Sequence, residues 1–512
     1  MDSKEKIDYM KYLHIAVIVI GTILMVVCGI HTNIWFDETY SVGMANQNLS
    51  TLISAGVADV HPLLYYFMIK LWSLIFGTSI ISLRMFSVLG MVVLSLLGYT
   101  HIRKDFDEKT GFIYSILVNF LPAMLVYSSE IRMYSWAAVF VTLAGIYAYR
   151  AYEALWKRKE KPNSKDERKP FLKNVLLFIV FSVASAYIHY FGLISICVIN
   201  VFLLAAIVRA KKSEITWIIS GAIQFLLYLP GMIVFLKQAF RVSKGFWISI
   251  KYPDIFKDIL VFNYTGNLED IWKTEIFVFA TIVFAYSMYR IVKYFIYKKK
   301  NGSDLKMNLA ILAFAVYIAV IAIALLASII TPIFTTRYTI PMIGLLIVFL
   351  AYIFGTEKYK VLKMILGLAI MILYIANFMV FYSENYNKNN LDAETYINAL
   401  VKEGDIFVYS DMGVGGIVAV KYPENVQYFY NRYSWSVEEA YEAYAPQMTT
   451  VRDLSDIENY SGRIWIIDIP SRELTNEILD MQKVTKLQDT KEFSMKYKNI
   501  TMEVTLCNKG GF

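Results

Sequence analysis

Ionisable side chains are scarce in the first 380 residues outside a few basic runs, and several sit among aromatic rings. In WFDETYS, Asp37 and Glu38 are adjacent; in ADVHPLLYY, Asp59 stands two residues before His61. YSSEIRMYS carries Glu130 and Arg132, AYIHYFG carries His189 beside Tyr190, and TTRYTIP carries Arg337 beside Tyr338. A carboxylate in such a set can take a proton, and an imidazole can orient a partner or donate to it. A guanidinium grips phosphate oxygens through two parallel hydrogen bonds. Each motif also has a plainer explanation. Asp37–Glu38 suits a wet helix exit or cap, and His61–Pro62 a helix start. Ser129–Glu130 suits a cap with a dipole-matched acid, His189 a histidine between packed helices, and Arg337 a snorkelling side chain. Arg84, inside an apolar run, reads as snorkelling or structurally paired. Both acids of the first motif are candidate catalytic residues. Neighbours in an extended segment point opposite ways, so they are not expected to share one task. One of the two is expected to face the chemistry, and the other to cap a helix, hold the loop or bind a metal ion.

The elements that position these residues lie in membrane. The chain has 512 residues, 57% hydrophobic and only 18% charged; a soluble protein would carry about 25% charged residues. Apolar runs at 12–30, 82–101, 111–128, 131–150, 173–190, 191–208, 214–236, 274–297, 307–330, 338–354 and 361–382 predict about 11 transmembrane helices. The first run is too long for the core of a signal peptide and lacks a small-residue cleavage site, so it is expected to be retained. Basic residues recur at every second link: Arg103, Lys104 and Lys109; Lys157–Lys161 with Arg168 and Lys169; Arg209–Lys212; Lys298–Lys300; and Lys358–Lys363. The positive-inside rule makes those links cytoplasmic, the N-terminus inside and the C-terminus outside. Residues 61–77, with Lys70 in mid-run, then form an amphipathic helix along the outer interface rather than a further span. With that topology every motif above falls on the extracytoplasmic face. Ionisable groups at membrane depth are costly, so their gathering on one face points to a site.

Two regions follow: a transmembrane domain, 1–382, whose first outer loop is 31–80, and an extracytoplasmic α/β domain, 383–512. In the second, GDIFVYSD (404–411) and GRIWIIDIP (462–470) read as short buried strands, and 492–508 alternates like a hairpin. The charged run 157–169 reads as a loop. The tail holds 20 acidic and 13 basic residues, a net of −7 against +8 for the whole chain. The basic surplus therefore sits in the membrane part, mostly at the links, which argues against nucleic acid as a partner. Three cysteines show no metal or disulfide spacing.

The ordered set WFDETYS, DVHPLLYY, LRMFSVLG, YSSEIRMYSW, YIHYFGL and RYTIPMIGLL, spanning about residues 10–350, resembles glycosyltransferase family 39. These are bacterial relatives of the protein O-mannosyltransferases, within the GT-C membrane glycosyltransferases. Leu63 stands where the family usually has the second proline of His-Pro-Pro. The resemblance implies transfer of a sugar from a polyprenyl-phosphate donor to a hydroxyl acceptor outside the cell membrane, with Asp37 as the base. Arg132 and Arg337 would then hold the donor phosphate, with His189, Tyr190 or Tyr338 adding donors. Asp59, His61 and Glu130 would bind acceptor or sugar hydroxyls. The acceptor would be a glycan, a protein or a glycolipid. No cofactor is required by this chemistry; the alternative of a divalent metal ion would draw on Glu38, Asp59, His61 and His189. A transporter or flippase of lipid-linked sugars would instead need mid-membrane charges and paired broken helices. A ligase or polymerase using a lipid diphosphate would share the architecture.

Overall fold

The computed structural model describes residues 3–510 apart from 161–164, 210–214, 245–247, 267, 269–271, 302–303, 387, 434–437 and 496–499. Parts of the expected basic links (161–164 and 210–214) and the hairpin turn (496–499) thus lie outside the described residues, as do the side chains of 156–168 and 299–303. The helices in chain order begin with α1 (Ser3–Gly29), α2 (Phe36–Asn46), α3 (Leu49–Ala58), α4 (Leu64–Phe76), α5 (Ile80–Leu97), α6 (Arg103–Asp105), α7 (Glu108–Phe120) and α8 (Pro122–Ser129). There follow α9 (Tyr134–Glu160), α10 (Lys165–Ile188), α11 (Tyr190–Arg209), α12 (Ile215–Ser243), α13 (Asp254–Thr265), α14 (Lys273–Asn301), α15 (Leu305–Ala327), α16 (Ile343–Gly355), α17 (Lys360–Asn385) and α18 (Lys388–Leu400). The chain divides into two compact units, one of residues 1–29, 61–65 and 85–380, the other of 30–60, 66–84 and 381–512.

The first unit is a helical bundle. Among the described residues of the chain, nine helices are long and apolar enough to cross a membrane, and the bent pair α7–α8 makes a tenth if it is one crossing. The protein is a multi-pass membrane protein. The expected span 111–128 is broken by 63°. Pro122 has no N–H to donate and forces Leu121 into extended backbone, φ −75° and ψ 133°. The expected span 131–150 is helix α9, whose tyrosines and Arg150 dilute its apolar stretch below that of its neighbours. Its Ala137, Ala138, Val141 and Ala144 are buried among the other helices instead. The charged run expected as a loop is largely the ends of α9 and α10; lysine, arginine and glutamate are good helix formers, so the helices continue past the apolar stretch.

The second unit is built on a six-stranded sheet. Its strands are β1 (Ile406–Tyr409), β2 (Gln427–Tyr430), β3 (Met448–Val451), β4 (Gly462–Asp468), β5 (Val484–Met495) and β6 (Ile500–Lys509), and α19 (Met412–Lys421), α20 (Glu438–Tyr444), α21 (Ser455–Glu458) and α22 (Leu474–Leu479) connect them. The spatial order is β3-β2-β1-β4-β6-β5. The first four strands run parallel, with Val408 beside Tyr428 and Ile466, and the β5–β6 hairpin closes one edge antiparallel. Ile406, Val408, Ile464, Ile466 and Cys507 pack with Ile457, Leu474 and Ile478 into the core. Runs such as IFVY and IWII are apolar on both faces because parallel strands are covered on both sides. Most of the first loop belongs to this unit, where α2 packs on α19 and α20, and α3 packs on α20.

Candidate active site

The first motif folds into the start of α2 rather than an extended segment. Asp37 and Glu38 both lie in its first turn, where acids complement the helix dipole. Glu38 is fully buried; it accepts the Trp35 N–H at 3.3 Å and so caps its own helix. Its two oxygens meet Arg84 Nη1 and Nη2, each at 3.0 Å, and Arg84 is also fully buried. Arg84 Nη2 donates in addition to the carbonyl of Asn33. The sequence offered snorkelling or pairing for Arg84, and the structure shows pairing. Asp37, one residue before Glu38, is partly buried. The two acids thus differ in environment: Glu38 is fully buried in an ion pair and Asp37 is only partly buried.

Tyr40 lies three residues beyond Asp37, on the same face of the helix. Its hydroxyl is buried and has no hydrogen-bond partner among the described residues. Burial, with the charges of Asp59 and Asp37, holds its pKa well above the usual tyrosine value, so it stays a donor. Asp59, at the C-cap of α3, accepts the Tyr66 hydroxyl at 2.7 Å and is buried. Sequence reasoning passed over Tyr40, although its helical spacing from Asp37 was there to be seen.

In the membrane unit, helix ends bring together the other motifs. His189 is the single residue between α10 and α11 and is only 3% exposed. Its Nδ1 accepts the Phe191 N–H at 3.0 Å, which leaves the proton of the neutral ring on Nε2. That Nε2 is buried with no hydrogen-bond partner among the described residues. His61, Arg132 and Arg337 all act electrostatically on the ring. Arg132 Nη2 donates to His61 Nε2 at 3.2 Å. The rings of Tyr134, Tyr338 and His61 lie 5.8, 5.3 and 6.4 Å from that of His189. Arg337, at the start of a 3₁₀ turn over Thr336–Met342, stands 5.8 Å from the Tyr338 ring. Tyr190 points its hydroxyl to Gln238 Oε1, and Gln238 Nε2 holds the His61 carbonyl at 3.1 Å. Gln238, on α12, is a buried amide that sequence reading missed; a glutamine near the end of a span was its only signal. Glu130 is buried at the C-cap of α8, where the helix dipole disfavours an acid, so the expected dipole match does not explain it.

The metal alternative would draw on Glu38, Asp59, His61 and His189. Among the described residues no three His, Cys, Asp or Glu side chains form a group able to hold a metal ion. Glu38 is committed to Arg84, His61 Nε2 to Arg132, and His189 Nδ1 to the backbone.

No family model matches the sequence, and no curated protein matches it either. Solved structures do. ArnT from Cupriavidus metallidurans in the apo state superposes with a TM-score of 0.62 at 9% identity, over 97% of each chain. The same protein bound to undecaprenyl phosphate gives 0.58, again at 9% identity and 97% of each chain. The archaeal oligosaccharyltransferase AglB from Archaeoglobus fulgidus, in complex with an inhibitory peptide and a dolichol-phosphate, gives 0.49 at 13% identity, over 90% of this chain and 69% of that one. At such identities the likeness is one of architecture: the chain has the GT-C fold of ArnT.

Proposed function

We propose that the protein is a membrane glycosyltransferase that moves a sugar from a polyprenyl-phosphate carrier to a hydroxyl acceptor, on the face opposite its basic links. The observation that carries this reading is the buried Nε2–H of His189, without a partner among the described residues and in the field of Arg132 and Arg337. A desolvated donor beside two guanidinium groups is a socket for an anion. Its place at helix ends suits a phosphate whose hydrocarbon tail stays in the bilayer. That ArnT, which shares the fold, has been seen with undecaprenyl phosphate supports the same carrier class here. The ordered motifs favour family 39 among GT-C enzymes.

In this reading the Asp37 carboxylate takes the acceptor's hydroxyl proton. The acceptor oxygen bonds to the anomeric carbon as the bond from that carbon to the phosphate oxygen breaks. Polyprenyl phosphate leaves with the electron pair, and Arg132, Arg337 and His189 meet its growing charge. A single displacement inverts the anomeric centre. Tyr40, Asp59, His61 and Glu130 offer hydroxyl contacts, and Glu38 holds the loop.

The test is transfer from labelled polyprenyl-phosphate sugar by enzyme in nanodiscs. His189→Phe preserves the ring packing but removes the donor, and a hydrogen bond to a charged group is worth about 1.5–3 kcal/mol. Donor KM should therefore rise about 10-fold or more. Unchanged donor use in both His189→Phe and Arg337→Ala would remove the socket. Movement of the lipid without release of polyprenyl phosphate would favour a flippase.

A further inference from the structure

The sheet domain has no role in the mechanism above, yet three of its side-chain and backbone groups converge on the helix that carries Asp37. The last residue of α20, Tyr444, is buried against α2. Its ring lies 4.9 Å from the ring of Tyr40. A Cβ added to Gly43 would fall under 3.0 Å from three atoms of the Tyr444 ring, so the tyrosine occupies the space that a side chain would need. The reciprocal contact is made by Gly416 of α19, where an added Cβ would stand 3.0 Å from Thr39 Oγ1 and 3.3 Å from the Phe36 ring. Two glycines, one on each side, let α2 and the sheet domain approach backbone to side chain.

Hydrogen bonds follow the same line. Thr39 Oγ1 donates to the Phe36 carbonyl at 2.6 Å. Its one proton is then spent, so the contact of 3.1 Å with the Tyr444 hydroxyl has the tyrosine as donor. The chain runs Tyr444 O–H to Thr39 O–H to the carbonyl of the Phe36–Asp37 peptide group. At the other end of α2, Gln47 Nε2 donates to the Tyr444 carbonyl at 3.0 Å.

We infer that the sheet domain is a positioning clamp for the catalytic helix, with Tyr444 the residue that sets where Asp37 stands. Tyr444 acts through Thr39 and Gly43 and is a positioning residue, not a catalytic one. The inference rests on the proposed role of Asp37 as base. It gives the domain a task in the chemical step and none in holding the donor phosphate, so kcat and donor KM separate.

The experiment compares Gly43→Ala, Tyr444→Phe, Tyr444→Ala, the Gly43→Ala/Tyr444→Ala double variant and Asp37→Asn in the same transfer assay, on full-length protein checked by gel filtration. Relief of the Gly43→Ala overlap needs a shift of about 1 Å, and a misplacement of that size costs about 100-fold in rate. Tyr444→Phe keeps the ring and breaks the hydroxyl chain; kcat should fall about 3- to 10-fold with donor KM unchanged. The double variant removes the overlap and should be faster than Gly43→Ala alone, the mark of direct coupling. Wild-type kcat in folded Gly43→Ala and Tyr444→Phe, with Asp37→Asn inactive, would overturn the clamp and leave the proposed function standing. So would a fall matched by a rise in donor KM, or a double variant no faster than Gly43→Ala. Full activity in Asp37→Asn would overturn the reading on which the clamp rests.

Discussion

Replacing Arg84 by Met should destabilise the second unit strongly, and a second substitution should undo the damage. Glu38 and Arg84 are both 0% exposed and meet through two contacts of 3.0 Å. Removing either partner leaves the other charge stranded out of water, a loss of about 3–5 kcal/mol. Arg84→Met also strips the Asn33 carbonyl of its donor, which adds about 1–3 kcal/mol. In a unit of this size each kcal/mol moves Tm by about 2–4 °C, so the single variant should melt at least about 8 °C lower. Glu38→Gln alone should cost a comparable amount. The double variant Glu38→Gln/Arg84→Met removes both charges and should regain much of the loss, since a neutral replacement of a buried pair is often close to isoenergetic. Differential scanning fluorimetry in detergent measures all three. The double variant should also keep measurable transfer, because Glu38 is assigned no proton. If the single variants melt within about 1 °C of wild type, or the double variant is the sum of the two, the ion pair does not hold the loop.

Stability should fall with acid through His31. Burial, then the charge of Arg84, push its pKa down from 6.5 to about 2, with Lys421 adding to the shift. Between those values the unfolded chain binds a proton that the folded chain refuses, so stability is lost as pH drops below about 6.5, at up to about 1.4 kcal/mol per pH unit. Melting curves from pH 7.5 to 5 should show this slope, and His31→Asn should flatten it; an unchanged slope counts against the assignment. Gln238→Leu removes the amide that bridges the Tyr190 hydroxyl and the His61 carbonyl and should raise donor KM more than it lowers kcat, as steady-state kinetics would show. A pure kcat effect would place Gln238 outside donor binding.

The membrane helices were legible because one property, a long apolar run, decides them. What the runs did not give was the bend at Pro122, where one residue without an N–H outweighs its apolar neighbours. The short strands β2 (QYFY) and β3 (MTTV) carry too little apolar signal to be seen, and only their pairing beside β1 makes them strands. Within the site, residue types were legible and partners were not. Arg84 and Glu38 are 46 positions apart and Gln238 is 177 from His61, and no local pattern encodes such pairings. The different fates of Asp37 and Glu38 were expected from an extended segment. They arise instead on a helix, where adjacent side chains point about 100° apart and Glu38 alone of the two is fully buried.

The most direct measurement is single-turnover transfer from labelled polyprenyl-phosphate sugar by wild-type and Asp37→Asn protein, with donor binding measured in parallel. The account predicts that Asp37→Asn binds donor as wild type does and transfers about 100- to 10,000-fold more slowly, the usual range for loss of a general base. Transfer at the wild-type rate by Asp37→Asn would contradict it.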